Sequence, residues 1–149
     1  MTNAIGATPL HFSALENNLE ATKTLVERGA PLNNANEDGV TPLLLAAYFG
    51  NLEVFLYLTE IGADINIRDV KGNTALHHAA ISGSVEIIKI LLDKGMSVEL
   101  TNATDSTPHF SAYNGNLKAT KALVDRGAPL TSLIRMVKLH CIWPLTMAK

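Results

Sequence analysis

Thr-Pro or Thr-Ala recurs at Thr8-Pro9, Thr41-Pro42, Thr74-Ala75 and Thr107-Pro108, each step being 33 residues. A second marker, Gly-Ala or its equivalent, recurs at Gly29-Ala30, Gly62-Ala63, Gly95-Met96 and Gly127-Ala128, at steps of 33, 33 and 32 residues. Two independent markers sharing one period mean a stack of like units, each touching only its neighbours along the chain. In 149 residues there is room for four such units and a short remainder.

Within a unit the residues spell out two short helices. Thr74 has the chemistry of a helix N-cap, and Pro9 and Pro42 stand at the next position, where a missing N–H costs nothing. A first helix is predicted from Leu43 to Phe49 and from Ala75 to Ser82, closed by Gly50 and Gly83. The pairs Ala46-Ala47 and Ala79-Ala80 are small enough to admit a neighbouring helix closely. In the second helix Val54, Leu58 and Ile61, and Val85, Ile88, Leu91 and Leu92, fall at helical spacing. Gly62 and Gly95 stand where a left-handed C-terminal cap is wanted. Asn33, Asn36, Gly39, Asn66, Asp69 and Gly72 supply turn chemistry between units. Helices this short are not stable alone in water, so stacking must hold them.

The strings TPLHFSA, TPLLLAA and TALHHAA are similar to the ankyrin signature T-P-L-H-x-A-A. The resemblance covers residues 3 to about 132. It implies an all-α ankyrin-repeat solenoid of helix–turn–helix units with short hairpin-like fingers between them, serving as a protein-binding scaffold. It also implies that His11 and His77 hydrogen-bond within and between units. The domain is expected over 1–132, with repeats at 3–35, 36–68, 69–101 and 102–132 (units 1 to 4), followed by an off-pattern tail at 133–149.

Units 2 and 3 are regular, whereas units 1 and 4 are close copies of each other. Unit 4 lacks a counterpart of Leu10, Leu43 and Leu76. A one-residue deletion rotates a helix by about 100°, so Thr107-Pro108 is expected to leave the usual capping geometry while the helix from His109 keeps register. Unit 1 carries Phe12, Leu15 and Leu19 on its outer face, as an inner repeat exposed by truncation of a longer array would. The tail has Arg135, Lys138 and Lys149 and no acid, a charge of +3, leaving −5 on the first 132 residues out of the total of −2. Three readings of it stand open: a makeshift cap on unit 4, an unselected sequence, or a basic apolar helix contacting a membrane surface or a partner.

With a net charge of only −2, nothing steers the chain towards nucleic acid. No apolar run is long enough to span a membrane, and no basic segment followed by an apolar run marks a secretory signal. Cys141 is the only cysteine, so an internal disulfide framework is excluded. A cytoplasmic location is expected, with the nucleus left open. Adjacent His77-His78 invite a metal reading, yet no H-E-x-x-H or C-x-x-C accompanies them. No elbow serine, phosphate-cradling loop or paired carboxylate appears, so no enzyme, cofactor or metal is expected.

The expected partner is another protein, met in the resembling family by the finger tips and the concave, exposed side of the first helices. Carried over by position, the finger residues are Glu37, Asp38, Val40, Val70, Lys71 and Asn73. The helix stripe is Leu45, Tyr48, Phe49, His78, Ile81, Ser82, Tyr113 and Asn114, with Phe12, Leu15 and Glu16 continuing it in unit 1. Binding is expected to centre on units 2 and 3. The competing reading is a fragment or degenerate copy of a larger ankyrin-array protein with no selected partner of its own.

Overall fold

A computed structural model describes residues 6–97 and 116–126, and within them the chain forms seven α-helices and no strand. They are α1 (Pro9–Leu15), α2 (Leu19–Glu27), α3 (Pro42–Phe49), α4 (Leu52–Glu60), α5 (Ala75–Ser82), α6 (Val85–Asp93) and α7 (Leu117–Asp125). The first helices α1, α3 and α5 pack side by side as one layer, and the second helices α2, α4, α6 and α7 form the other. This is the all-α solenoid that the period predicts.

Local chemistry starts each first helix. Thr8, Thr41 and Thr74 hold extended backbone, and their hydroxyls accept from the amides of His11, Leu44 and His77 at 3.4, 3.3 and 3.3 Å. In α1 and α5 the histidine returns the contact, its Nδ1 accepting the N–H of Thr8 at 3.0 Å and of Thr74 at 3.1 Å. That is a capping box with imidazole in the place usually held by Glu or Gln. Leu44 cannot make this bond, so α3 begins on its threonine and Pro42 alone.

The first helices end on one pattern. The amides of Asn18, Asn51 and Ser84 turn back to the carbonyls of Ser13, Ala46 and Ala79 at 2.9, 2.8 and 3.1 Å. The residue before each is left-handed: Gly50 at φ 68°, Gly83 at φ 74° and, in unit 1, Asn17 at φ 54°. Gly50 has a second reason to be glycine, because a Cβ there would lie 2.5 Å from Ser84 Oγ of the next unit.

The next unit finishes the job. Asn51 Nδ2 donates to the carbonyls of Ala14 and Leu15 at 2.6 and 2.9 Å, and Asn116 Nδ2 to those of Ala80 and Ile81 at 3.1 Å each. The carbonyls of Leu15 and Ile81 are thus satisfied at the helix end by the following repeat, which adds a second bond to those of Ala14 and Ala80. In unit 3 the equivalent residue is Ser84, too short to reach, and Ser82 Oγ donates to the carbonyl of Ala47 at 3.0 Å instead. Asn18 in unit 1 has no described repeat before it, and its side chain caps α2 by accepting from the amide of Ala21 at 3.0 Å.

Between layers the core is continuous. Ala14, Ala46, Ala47, Ala79 and Ala80 are fully buried where first helices meet, and Leu10, Leu43 and Leu76 fill the site behind the cap. In the second helices Val54, Phe55 and Leu58, then Ile87, Ile88 and Leu91, are buried. Phe55 and Ile87 lie outside the stripes predicted above, and Ile61, Val85 and Leu92 are only half-buried. A stacked helix is covered by both neighbouring units as well as by its own partner, so it buries a wider arc than a single stripe. Unit 1 is more polar at this level. Thr22 occupies the position of Phe55 and Ile88, and its hydroxyl donates to Ser13 Oγ at 2.9 Å.

The fingers are closed by their own side chains. Asn36 Oδ1 accepts from the amides of Asp38 and Val40, and Asp69 Oδ1 from those of Lys71 and Asn73, all at 2.9–3.0 Å. Neighbouring fingers join through Val70 N donating to the Asp38 carbonyl at 3.0 Å. The chain approaches so closely at Gly39 that a Cβ would fall 2.9 Å from Val70 N.

Removing the donor that one unit lends another should therefore weaken the stack. Asn51→Ala is expected to lower stability by about 1–2 kcal/mol in denaturant unfolding. Thr24→Ala, on the exposed side of α2, should stay within about 0.5 kcal/mol. Equal shifts for the two variants would show the inter-unit bond to be dispensable.

Candidate functional site

The face formed by the first helices and the finger tips carries most of the large apolar side chains that the described residues leave in solvent. Phe12 is 41% exposed, Leu15 38%, Tyr48 42%, Phe49 49% and the finger residue Val70 69%. Only Leu117, on α7, lies elsewhere, and no such residue falls on α2, α4 or α6. Tyr48 is held while exposed: its ring meets Phe49 edge-to-face at 4.9 Å and His78 at 5.6 Å. Glu37, Asp38 and Lys71 are exposed at the finger tips, whereas Val40, Leu45, Ile81 and Ser82 are half-buried.

Two of the candidate docking residues are corrected by the structure. His78 and Asn73 are each only 7% exposed. The cause is Asp69, whose Oδ2 lies 3.0 Å from His78 Nε2 and 3.4 Å from Asn73 Nδ2, drawing both inward to the base of the finger. Nothing in the local sequence signals this cluster, because Asn36, Val40 and Leu45 take the same places in unit 2 without forming it. Tyr113 and Asn114 lie outside the described residues, as do Thr107, Pro108, His109 and the tail. Among the described residues the exposed apolar side chains of this face are Phe12 and Leu15 in unit 1, Tyr48 and Phe49 in unit 2 and Val70 in unit 3.

The described histidines serve the fold. His11 donates from Nε2 to the carbonyl of Val40 in the next unit at 2.7 Å while Nδ1 serves the Thr8 cap, the within-and-between role implied above. His77 Nδ1 serves Thr74 in the same way. The Thr8–His11 and Thr74–His77 pairs, at 2.9 and 2.8 Å, have the spacing of a nucleophile and its base. Both pairs are largely buried and are committed to helix caps. Among the described residues no group of three His, Cys, Asp or Glu is placed to hold a metal ion.

Burial lowers the pKa of His11, partly offset by its bond to the Val40 carbonyl. It lowers that of His78 too, against the opposing pull of the Asp69 carboxylate. Among the described residues the buried His78 Nδ1 has no hydrogen-bond partner, so a proton there would gain none from them, which fits burial prevailing over the carboxylate.

A family model of ankyrin repeats in three copies matches residues 1–69 and again 67–133. The chain belongs to the ankyrin-repeat family. No match is found among curated proteins. Ankyrin repeats are in general protein–protein interaction modules, and theirs is a non-enzymatic interaction fold. Among the described residues no ankyrin helix is long and apolar enough to cross a membrane.

The buried imidazoles of this ankyrin stack set a pH response. The folded chain keeps His11 and His78 neutral below the usual pKa of 6.5, while the unfolded chain protonates there. Their stabilising contribution is therefore complete above about pH 6.5 and lost as the pH falls below it. Melting temperature by circular dichroism should drop between about pH 7.5 and pH 5.5. His78→Leu, the residue type found at Leu45, should flatten that drop. A variant melting curve with the wild-type pH slope would remove His78 from this account.

Proposed function

We propose that this chain is a non-catalytic adaptor or scaffold module of the cell interior that holds a partner protein on its first-helix and finger face. One observation carries the reading: five of the six exposed large apolar side chains among the described residues gather on α1, α3 and a finger tip, Leu117 on α7 being the exception. A solenoid whose faces served only solubility would have no reason to concentrate aromatics on one side. Large rigid side chains held in solvent are what interface centres are made of. Tyr48 and Phe49 lie at the middle of the group, steadied by each other and by His78.

The test compares partner capture from a native extract by the full chain and by a Tyr48→Ala/Phe49→Ala variant, read by quantitative mass spectrometry. Two central anchors are worth on the order of 2 kcal/mol each, so recovery of a genuine partner should fall at least about thirtyfold. Lys89→Ala, on an exposed position of α6, should change nothing. Equal recovery by the double variant would overturn the proposal.

A further inference from the structure

The exposed apolar group on α1 and α3 is bordered by carboxylates. Glu16 stands at the C-cap of α1, and Glu37 and Asp38 form the tip of the finger beside it. All three are exposed, and none has an ion-pair partner among the described residues. None is there for the fold. An acid at the C-terminal end of a helix opposes the helix dipole, and the finger turn is closed by Asn36 rather than by either acid.

No cation lies on α1, on α3 or on the finger between them. Within units 1 and 2 the described cations are Lys23 on α2, Arg28 at its C-cap and Arg68, exposed just before the next finger. Lys23 is engaged there over the Tyr57 ring at 5.9 Å. In unit 3 the character changes: Val70 stays exposed on the finger with Lys71 beside it, His78 is buried and Ile81 is half-buried. The acidic part of the face is therefore that of α1, α3 and the finger between them. Adjacent packed helices lie about 8–10 Å apart, so with its flanks the face is about 15–20 Å across. That is the length of about 10–14 residues of helix.

We infer that this face takes a short amphipathic segment of another protein, with one apolar row and lysine or arginine along its edges. The inference rests on the docking reading above and adds to it the sign of the partner's charge and the length of its contact. The apolar row covers Phe12, Leu15, Tyr48 and Phe49, as an amphipathic helix laid in a groove does. The basic edges neutralise Glu16, Glu37 and Asp38, steering the encounter and setting its salt dependence.

The test uses the full chain and three labelled synthetic peptides of about 14 residues, followed by fluorescence anisotropy. One carries a leucine row with lysine edges, one the same row with glutamate edges, and one the lysine edges with serine replacing the row. The leucine–lysine peptide should bind at least about tenfold tighter than either of the others. Glu16→Gln/Glu37→Gln/Asp38→Asn should weaken it about tenfold and flatten its salt dependence. Glu37→Lys/Asp38→Lys should shift preference to the glutamate peptide, and melting curves should match wild type for both variants. Equal binding of the glutamate peptide, lost on Tyr48→Ala, would overturn the charge assignment and leave the docking reading standing. Equal binding of the serine peptide, or binding of none, would overturn the inference, while partner capture decides the docking reading separately.

Discussion

Alanine against alanine, between one first helix and the next, is the contact on which the rest of this molecule depends. Helices of seven to nine residues do not persist in water by themselves. Ala14, Ala46, Ala47, Ala79 and Ala80 let α1, α3 and α5 approach until no surface remains between them. That closeness brings the second-helix caps Asn51 and Asn116 within reach of the unit before them, and it brings the fingers together at Gly39. A larger side chain at any of these alanines would separate the helices and undo the polar contacts as well as the apolar ones.

Because folding is secured in this inner layer, the opposite side of the first helices is free of structural duty. Asn36 and Asp69 close the fingers through their own carboxyl or amide oxygens, so the residues at the tips can vary without loss of the turn. The exposed aromatics of unit 2 lean on a neighbour from unit 3, which orients Tyr48 without hiding it. The surface is thus presented by the stack as a whole, its exposed apolar side chains coming from all three of the units that share the described face.

Much of the fold was legible because its determinants are local and repeat. The threonine caps, the left-handed glycines and the buried alanine pairs act over three or four residues and recur at one period. What depended on the third dimension was less visible. Phe55 and Ile87 are buried by neighbouring units, which a single helical stripe does not represent. His78 and Asn73 read as surface until Asp69 is seen beside them. The inter-unit bonds of Asn51 and Asn116 left a trace, an asparagine recurring at Asn18, Asn51 and Asn116, but its meaning needs the preceding carbonyls in view. Of the predicted site, the tip residues Glu37, Asp38, Val70 and Lys71 and the ring residues Tyr48 and Phe49 are where a partner could meet them.

The asparagine bonds run one way along the chain, from a unit to the carbonyls of the unit before it. During synthesis the amino-terminal units leave the ribosome first, and the carbonyl of Leu15 at the end of α1 gains its donor only when Asn51 follows. α5 waits likewise for Asn116. At these two places the later repeat completes the helix end of the earlier one. Pulled from its carboxyl end, the same chain should give way in the reverse order, α5 losing the Asn116 donor before α1 loses that of Asn51.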